Sequence, residues 1–450
     1  MRAPLVVFGL VYAFTCLVGA LLMMSGYHDF VGLFEYFSGT PVPHLTTAQI
    51  LLDLLLLLVA PLYLWIGYEL ALRLAPDRFP GIRAARTKLA AARLETPTWL
   101  PIVVFLVSIA GGFAAIIRSG SAGNISSWFD YQTWVHARAQ TFTGMSFAEF
   151  VNIYLFVPLA AAWIVVTLRG PGFLRLVVRW LPLGLTLLLD VLLFQKKTAV
   201  VSLLIVVFAW SLAYARTSPR RLLMGGLATG LAVLVVYFGA VVVPIYSKAS
   251  GTVCGVQGIS CNGVVTKVPA VVLYAVLAPL TRTSAPALWY PVIFPREHAF
   301  YRPDVGLDVL GIGTFPDDNL VVWHDLNPHS PGTTVVPFQF TLFSQGGVIV
   351  ALVGSLLAGF VLALGWRFTL SEAVPRAWSS LVGAMVLLLA VYIAIDSARN
   401  STIVSYGVAW GLLFIIVAGV VVHLGRTGGW RRSIGRRVRS RPRRTRVLGT

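Results

Sequence analysis

Charge is scarce in this sequence. Of its 450 residues 12% are Asp, Glu, Lys or Arg, while 57% are hydrophobic and the mean hydropathy is +0.82. Soluble domains carry about twice that share of charge, which excludes an ordinary soluble fold. Acids are fewer than bases, 17 against 35. Phosphate-binding loops are lacking too: no G-x-G-x-x-G or Walker-type run stands between a strand and a helix, so no loop reads as a nucleotide site.

What is present is a series of apolar runs near the length that crosses a ~30 Å hydrocarbon core. They predict an all-α polytopic integral membrane protein with about 10 transmembrane helices, near 4–24, 48–72, 99–117, 147–167, 180–195, 197–215, 222–245, 338–365, 378–396 and 402–424. The first reads as an uncleaved signal-anchor. The chain divides into a seven-helix bundle (1–245), a large loop (246–337), a three-helix bundle (338–424) and a basic tail (425–450). Within the loop, "PAVVLYAVLAPL" (269–280) is apolar but too short to span, and reads as a re-entrant or interfacial helix.

Sidedness follows from the basic residues. With the N-terminus inside, most of the 35 Lys and Arg fall in the 73–98, 168–180, 216–221 and 366–376 loops and the tail. This obeys the positive-inside rule and places both termini in the cytoplasm and the 246–337 loop outside. The arginine-rich tail reads as an anchor on anionic headgroups rather than a nucleic-acid arm. Cys16 lies in the first helix and reads as packing. Cys254 and Cys261, in "SGTVCGVQGISCNG", fall outside, where a disulfide would suit an oxidising compartment; two free thiols are the alternative.

The outer face carries cations against the rule. Lys196 and Lys197 form the tip of a helical hairpin, in "LLLDVLLFQKKTAVV". They are candidates for ligand binding; snorkelling to lipid phosphates or pairing with Asp190 is the alternative. Arg118, Arg138, Arg282, Arg302 and Arg399 fall on the same side, with Asp396 as a local partner for Arg399. Such cations suit a diphosphate at headgroup level, arginine by bidentate donation and lysine as a point charge. The large loop adds aromatics, including the pair Trp289 and Tyr290, and the histidines His298, His324 and His329.

Three stretches carry a likeness to a known family. "FQKKTAVVSLLIVVF", "LTRTSAPALWYPVIFPREHAFY" and "FQFTLFSQGGVIVALVGSLLAGFVLAL" resemble segments of the oligosaccharide repeat-unit polymerases of bacterial surface polysaccharides, the Wzy-type or O-antigen polymerases. The resemblance covers roughly 180–420 as an architecture. It implies a GT-C-like membrane fold and a glycosyltransferase that needs no nucleotide sugar and no cofactor. Its substrate would be an undecaprenyl-diphosphate-linked oligosaccharide, taken at the periplasmic face of the bacterial inner membrane. A chain-length regulator and a flippase of the same pathway are the implied partners. Arg282 and Lys197 match the family's basic positions best, followed by Arg302 and Arg399.

The reaction needs cations for the departing diphosphate and a base for the acceptor hydroxyl. Base candidates are His324 and Asp325 in "VVWHDLNPHS", with Asp318 of the outer acid pair Asp317 and Asp318; turn capping is the alternative for that pair, and no metal is expected. The intramembrane acids Asp53 and Glu69 must face a bundle interior or cavity. They keep a transporter open as a second class, and a ligase-type glycosyltransferase is a third.

Overall fold

The computed structural model describes residues 2–25, 45–74, 97–120, 145–168, 172–193, 196–215, 283–301, 318–326, 335–370, 375–395 and 411–422. The described residues are 89% helical, with no strand among them. We number the helices α1 (Ala3–Met24), α2 (Thr47–Arg73), α3 (Trp99–Arg118), α4 (Phe147–Thr167), α5 (Phe173–Leu192), α6 (Lys196–Ala215), α7 (283–293), α8 (Asp318–Leu326), α9 (Phe338–Thr369), α10 (Arg376–Ile395) and α11 (Gly411–Val422). Six of them, α1 to α4, α9 and α10, are long and apolar enough to cross a membrane. That is the pattern of a multi-pass membrane protein. Helices overlap the expected spans other than 222–245, which lies outside the described residues, as do 269–280 and the tail; among the described residues six helices rather than ten have the length and hydropathy to cross.

Local signals explain where the helices begin. α2 opens with a capping box in which the Gln49 amide donates to Thr46 Oγ1 (3.3 Å) and the Thr46 amide to Gln49 Oε1 (2.8 Å). α4 repeats the device with Ser146 and Glu149. Each box satisfies amides that a helix start leaves open.

Burial sorts the helices into centre and perimeter. Val157–Val166 of α4 are buried without a break, and α10 is buried along nearly its whole length. α1 and α9 instead show exposed apolar stripes at helical spacing, Val6, Leu10 and Phe14 on one, Ile349, Val353, Leu357 and Val361 on the other. In a spanning bundle such stripes meet lipid.

Contacts fix how the ends align. Arg2 of α1 pairs with Glu69 of α2 at 2.7 Å, and Arg367 of α9 donates to the Ala71 and Leu74 carbonyls that close α2. These groups mark one end of the bundle, and α10 starts there. Trp163, late in α4, packs in a tilted ring contact with Trp378, early in α10. Hence Glu149, at the start of α4, and its partner Arg118, at the end of α3, mark the opposite end.

Among the described residues three helices contain a π turn, at Ala13–Leu17, Leu55–Val59 and Asn152–Phe156. A π turn widens the ladder and frees backbone carbonyls, which inside a bundle need new donors. Tyr12 Oη donates to the Leu57 carbonyl at 2.9 Å, and Thr283 Oγ1 donates to the Thr15 carbonyl. Each π turn of α1 and α2 is thereby tied to a neighbouring helix.

The main departure from expectation is α9. It breaks at Gly346 and Gly347, whose φ values are −164° and +72°. A Cβ on Gly354 would meet the Leu342 side chain, although twelve residues of straight helix span about 18 Å. The chain therefore folds back, pairing a short buried arm, 338–345, with a membrane-length arm from 348 onward. Tyr301 N–H caps the Ser344 carbonyl at 2.9 Å, and the Phe300 ring covers Gly347. The expected single span at 338–365 is thus a helical hairpin.

Candidate functional site

α7, with the segment to Tyr301, and α8 meet away from the Arg2 end, because Tyr301 and Asp318 both bond Ser344 beside the reversal of α9, whose long arm runs from there to Arg367 at the Arg2 end. Between them opens a cleft of about 290 Å³, lined by Ile293, Glu297, His298, Val321, His324 and Asp325. Helical spacing explains the lining. Asp318, Val321 and Asp325 share one face of α8 at i, i+3 and i+7, and Tyr290, Ile293 and Glu297 do so along α7 and its last turn.

The cleft has two levels. Its rim carries two carboxylates and two imidazoles, Glu297, Asp325, His298 and His324. His298 is held in place: its ring lies against Tyr301 in a tilted contact (4.8 Å) and meets Phe294 edge-on (5.5 Å). Nδ1 lies 2.8 Å from the Ala299 carbonyl and Nε2 3.4 Å from the Tyr301 hydroxyl. The tautomer with Nδ1–H donating to Ala299 leaves Nε2 to accept from Tyr301. His324 and Asp325 are exposed at the rim.

Beneath the apolar floor of Ile293 and Val321 lies a dry polar cluster. Tyr290 Oη donates to Asp318 Oδ2 at 2.8 Å, and Ser344 Oγ reaches the same oxygen at 3.1 Å. Asp318 is fully buried. Gln345, at the break in α9, is 1% exposed, and its amide has no hydrogen-bond partner among the described residues.

The structure gathers part of the expected site. His324 and Asp325 share the cleft, while Asp318 lies below it as the acceptor that joins α7, α8 and α9. Trp289 and Tyr290 are 5% and 0% exposed, so both rings pack inside the bundle and offer no face at the surface. Arg118 pairs with Glu149 on α3 and α4. Lys196 and Lys197 occupy the first turn of α6, with their side chains outside the described residues. Arg138, Arg282, Arg302, Arg399, His329, Asp317, Cys254 and Cys261 also lie outside the described residues. No group of three or more His, Cys, Asp or Glu able to hold a metal occurs among the described residues.

Glu297 and Gln345 were not singled out from the sequence. Glu297 follows "IFPR" and reads as ordinary loop charge; only its spacing from Tyr290 hints at a shared face. Gln345 sits inside an apolar run, where an amide beside a Gly pair is the one visible signal. Compared with known proteins, the chain matches no family model, no curated protein and no solved structure.

Proposed function

We propose that this chain polymerises lipid-linked oligosaccharide repeat units at the outer face of a bacterial cytoplasmic membrane. The observation that carries the reading is the cleft itself: His324 and Asp325, chosen from sequence as base candidates, line one opening with His298 and Glu297. In this reading the N-terminus is cytoplasmic and the cleft faces outward. A rim imidazole or carboxylate takes the proton of the acceptor hydroxyl, that oxygen attacks the anomeric carbon of the donor glycan, and the polyprenyl diphosphate leaves with the bonding pair. Lys196, Lys197, Arg282, Arg302 and Arg399 would offset the charge gathered on the diphosphate. The size profile of the surface glycan in a deletion strain tests this. Single repeat units in place of long chains are expected; long chains in the deletion strain would refute it.

A transporter of lipid-linked sugars is favoured by one observation, the fold-back of α9. Discontinuous helices that expose backbone inside a bundle are frequent in transporters, usually in matching pairs; α9 is the one helix described here that folds back. Loss of a transporter would leave no repeat units at the surface, and loss of a ligase would leave long chains on the carrier lipid.

A further inference from the structure

The cleft makes no use of the polar groups where α1, α2, α7 and the short arm of α9 meet. The Arg2–Glu69 pair and the Tyr12–Leu57 hydrogen bond fix the antiparallel register of α1 and α2. Cys16, one turn beyond Tyr12, therefore stands opposite Asp53, one turn before Leu57. Asp53 is 0% exposed, and among the described residues neither of its carboxylate oxygens has a hydrogen-bond partner. The basic residues described on α1, α2 and α9 that have a placed partner, Arg2 and Arg367, are engaged at the opposite end. Glu69, which marks that end, is sixteen residues or about 24 Å of helix from Asp53.

The surroundings of Asp53 supply oxygen. Tyr12 Oη donates to Leu57 and accepts from Gln339 Nε2 at 3.0 Å, keeping a lone pair. The π turns Ala13–Leu17 and Leu55–Val59 flank this level, and two of their carbonyls, Thr15 and Leu57, accept from Thr283 and Tyr12 with a second lone pair to spare. A buried carboxylate with no partner among the described residues is stabilised by one positive charge, a cation or a proton. Protonation is the competing state, because the oxygens that would hold a cation can also accept the acid's O–H. One carboxylate among neutral oxygens balances a single charge, and carboxylate and carbonyl oxygens favour hard cations.

We propose that Asp53 anchors a buried site for a monovalent alkali cation between α1 and α2, completed by neutral oxygens of the two π turns and their bridging side chains. Such an ion would couple the α1–α2 pair to α7 and to the α9 hairpin, both joined to the same turns through Thr283 and Gln339.

The test uses the purified full chain in detergent, with sodium as the probe. Equilibrium dialysis with ²²Na⁺ should find one saturable site in wild type and in Asp190→Asn, and none in Asp53→Asn. Thermal unfolding in sodium chloride, against choline chloride at equal ionic strength, should show a saturable rise in Tm that Asp53→Asn loses. Absence of saturable binding to wild type, or undiminished binding to Asp53→Asn, would overturn the site. Should Asp53→Asn fail to fold, wild type alone decides. Sodium should protect Asp53 from dicyclohexylcarbodiimide, read by mass spectrometry of its peptide, and labelling that sodium does not slow refutes the proposal.

Discussion

Gly67 of α2 and Leu356 of α9 meet backbone to backbone. A Cβ on Gly67 would overlap the Leu356 carbonyl oxygen and lie 2.8 Å from its carbonyl carbon, and one on Gly359 would do the same to Leu64. Close approach through small residues is how membrane helices gain contact where no hydrophobic gradient drives them together. Backbone cannot swing aside as a side chain can, so Gly67→Ala or Gly359→Ala must part the helices. Each should destabilise the purified protein by about 3 kcal/mol, the upper part of the overpacking range. Gly9→Ala and Gly184→Ala, with nothing within 4 Å, should stay within about 1 kcal/mol of wild type. Thermal unfolding in detergent separates the two pairs.

The α9 reversal makes a different demand on glycine. Gly347 has φ +72° and ψ −162°, a region open almost only to glycine, so Gly347→Ala should cost on the order of 1–3 kcal/mol. Gly346 has φ −164°, outside the left-handed region, and a Cβ there would meet only the Val350 side chain, whose nearest methyl can turn away while its Cβ stays at a tight 3.2 Å. Gly346→Ala should therefore be the milder change. Equal losses of Tm for the two variants would refute this assignment of strain.

Asp318 is the shared acceptor of Tyr290 and Ser344, so the two donors should be coupled. Tyr290→Phe and Ser344→Ala each remove a hydrogen bond to a buried carboxyl group, worth about 1.5–3 kcal/mol where that group is charged. The double variant should lose less or more than the sum, by at least about 0.5 kcal/mol. A double-mutant cycle on denaturation midpoints reads the coupling directly, and strict additivity would count against one cluster.

Legibility from sequence differed by element for physical reasons. α3 and α4 were readable because about 20 apolar residues without charge permit little besides a spanning helix, and S-x-x-E marks the start of α4. α7 was not, because Pro286 and Pro291 give "TSAPALWYPVI" the look of a loop. Its helix is secured by burial on all sides and by Thr283 on Thr15, contacts that no local pattern carries. The fold-back of α9 was hidden for the same reason: a Gly pair in an apolar run reads as packing, and only Leu342 against Gly354 reveals the reversal. His324 and Asp325 were chosen for their chemistry. That Glu297 and His298 face them depends on how α7 packs against α8.

Arg118 separates a structural role from a functional one. Its side chain is 57% exposed and pairs with Glu149, and exposed ion pairs contribute about 0–1 kcal/mol. Arg118→Ala should therefore leave Tm almost unchanged. If Arg118 also helps to hold a diphosphate, the variant should shorten the surface glycan at normal membrane abundance, and Glu149→Gln should not. A glycan profile unaltered by Arg118→Ala would assign the residue to the helix pair alone.

The rim of the cleft gives the most direct test of the proposed reaction. His324 and Asp325 are exposed and their side chains pack against little, so His324→Ala and Asp325→Asn should keep the unfolding temperature of wild type. A positioned general base contributes typically 10²–10⁴-fold to a rate. Loss of the true base should therefore reduce a deletion strain complemented with the variant to single repeat units. His298 is braced by Phe294 and Tyr301, so His298→Ala should lower stability as well as activity. His298→Gln, which retains hydrogen-bonding groups, should recover more of the stability than of the chain length. If His324→Ala, Asp325→Asn and Glu297→Gln all support full-length glycan at normal abundance, the base does not lie on this rim, and the transport reading gains ground.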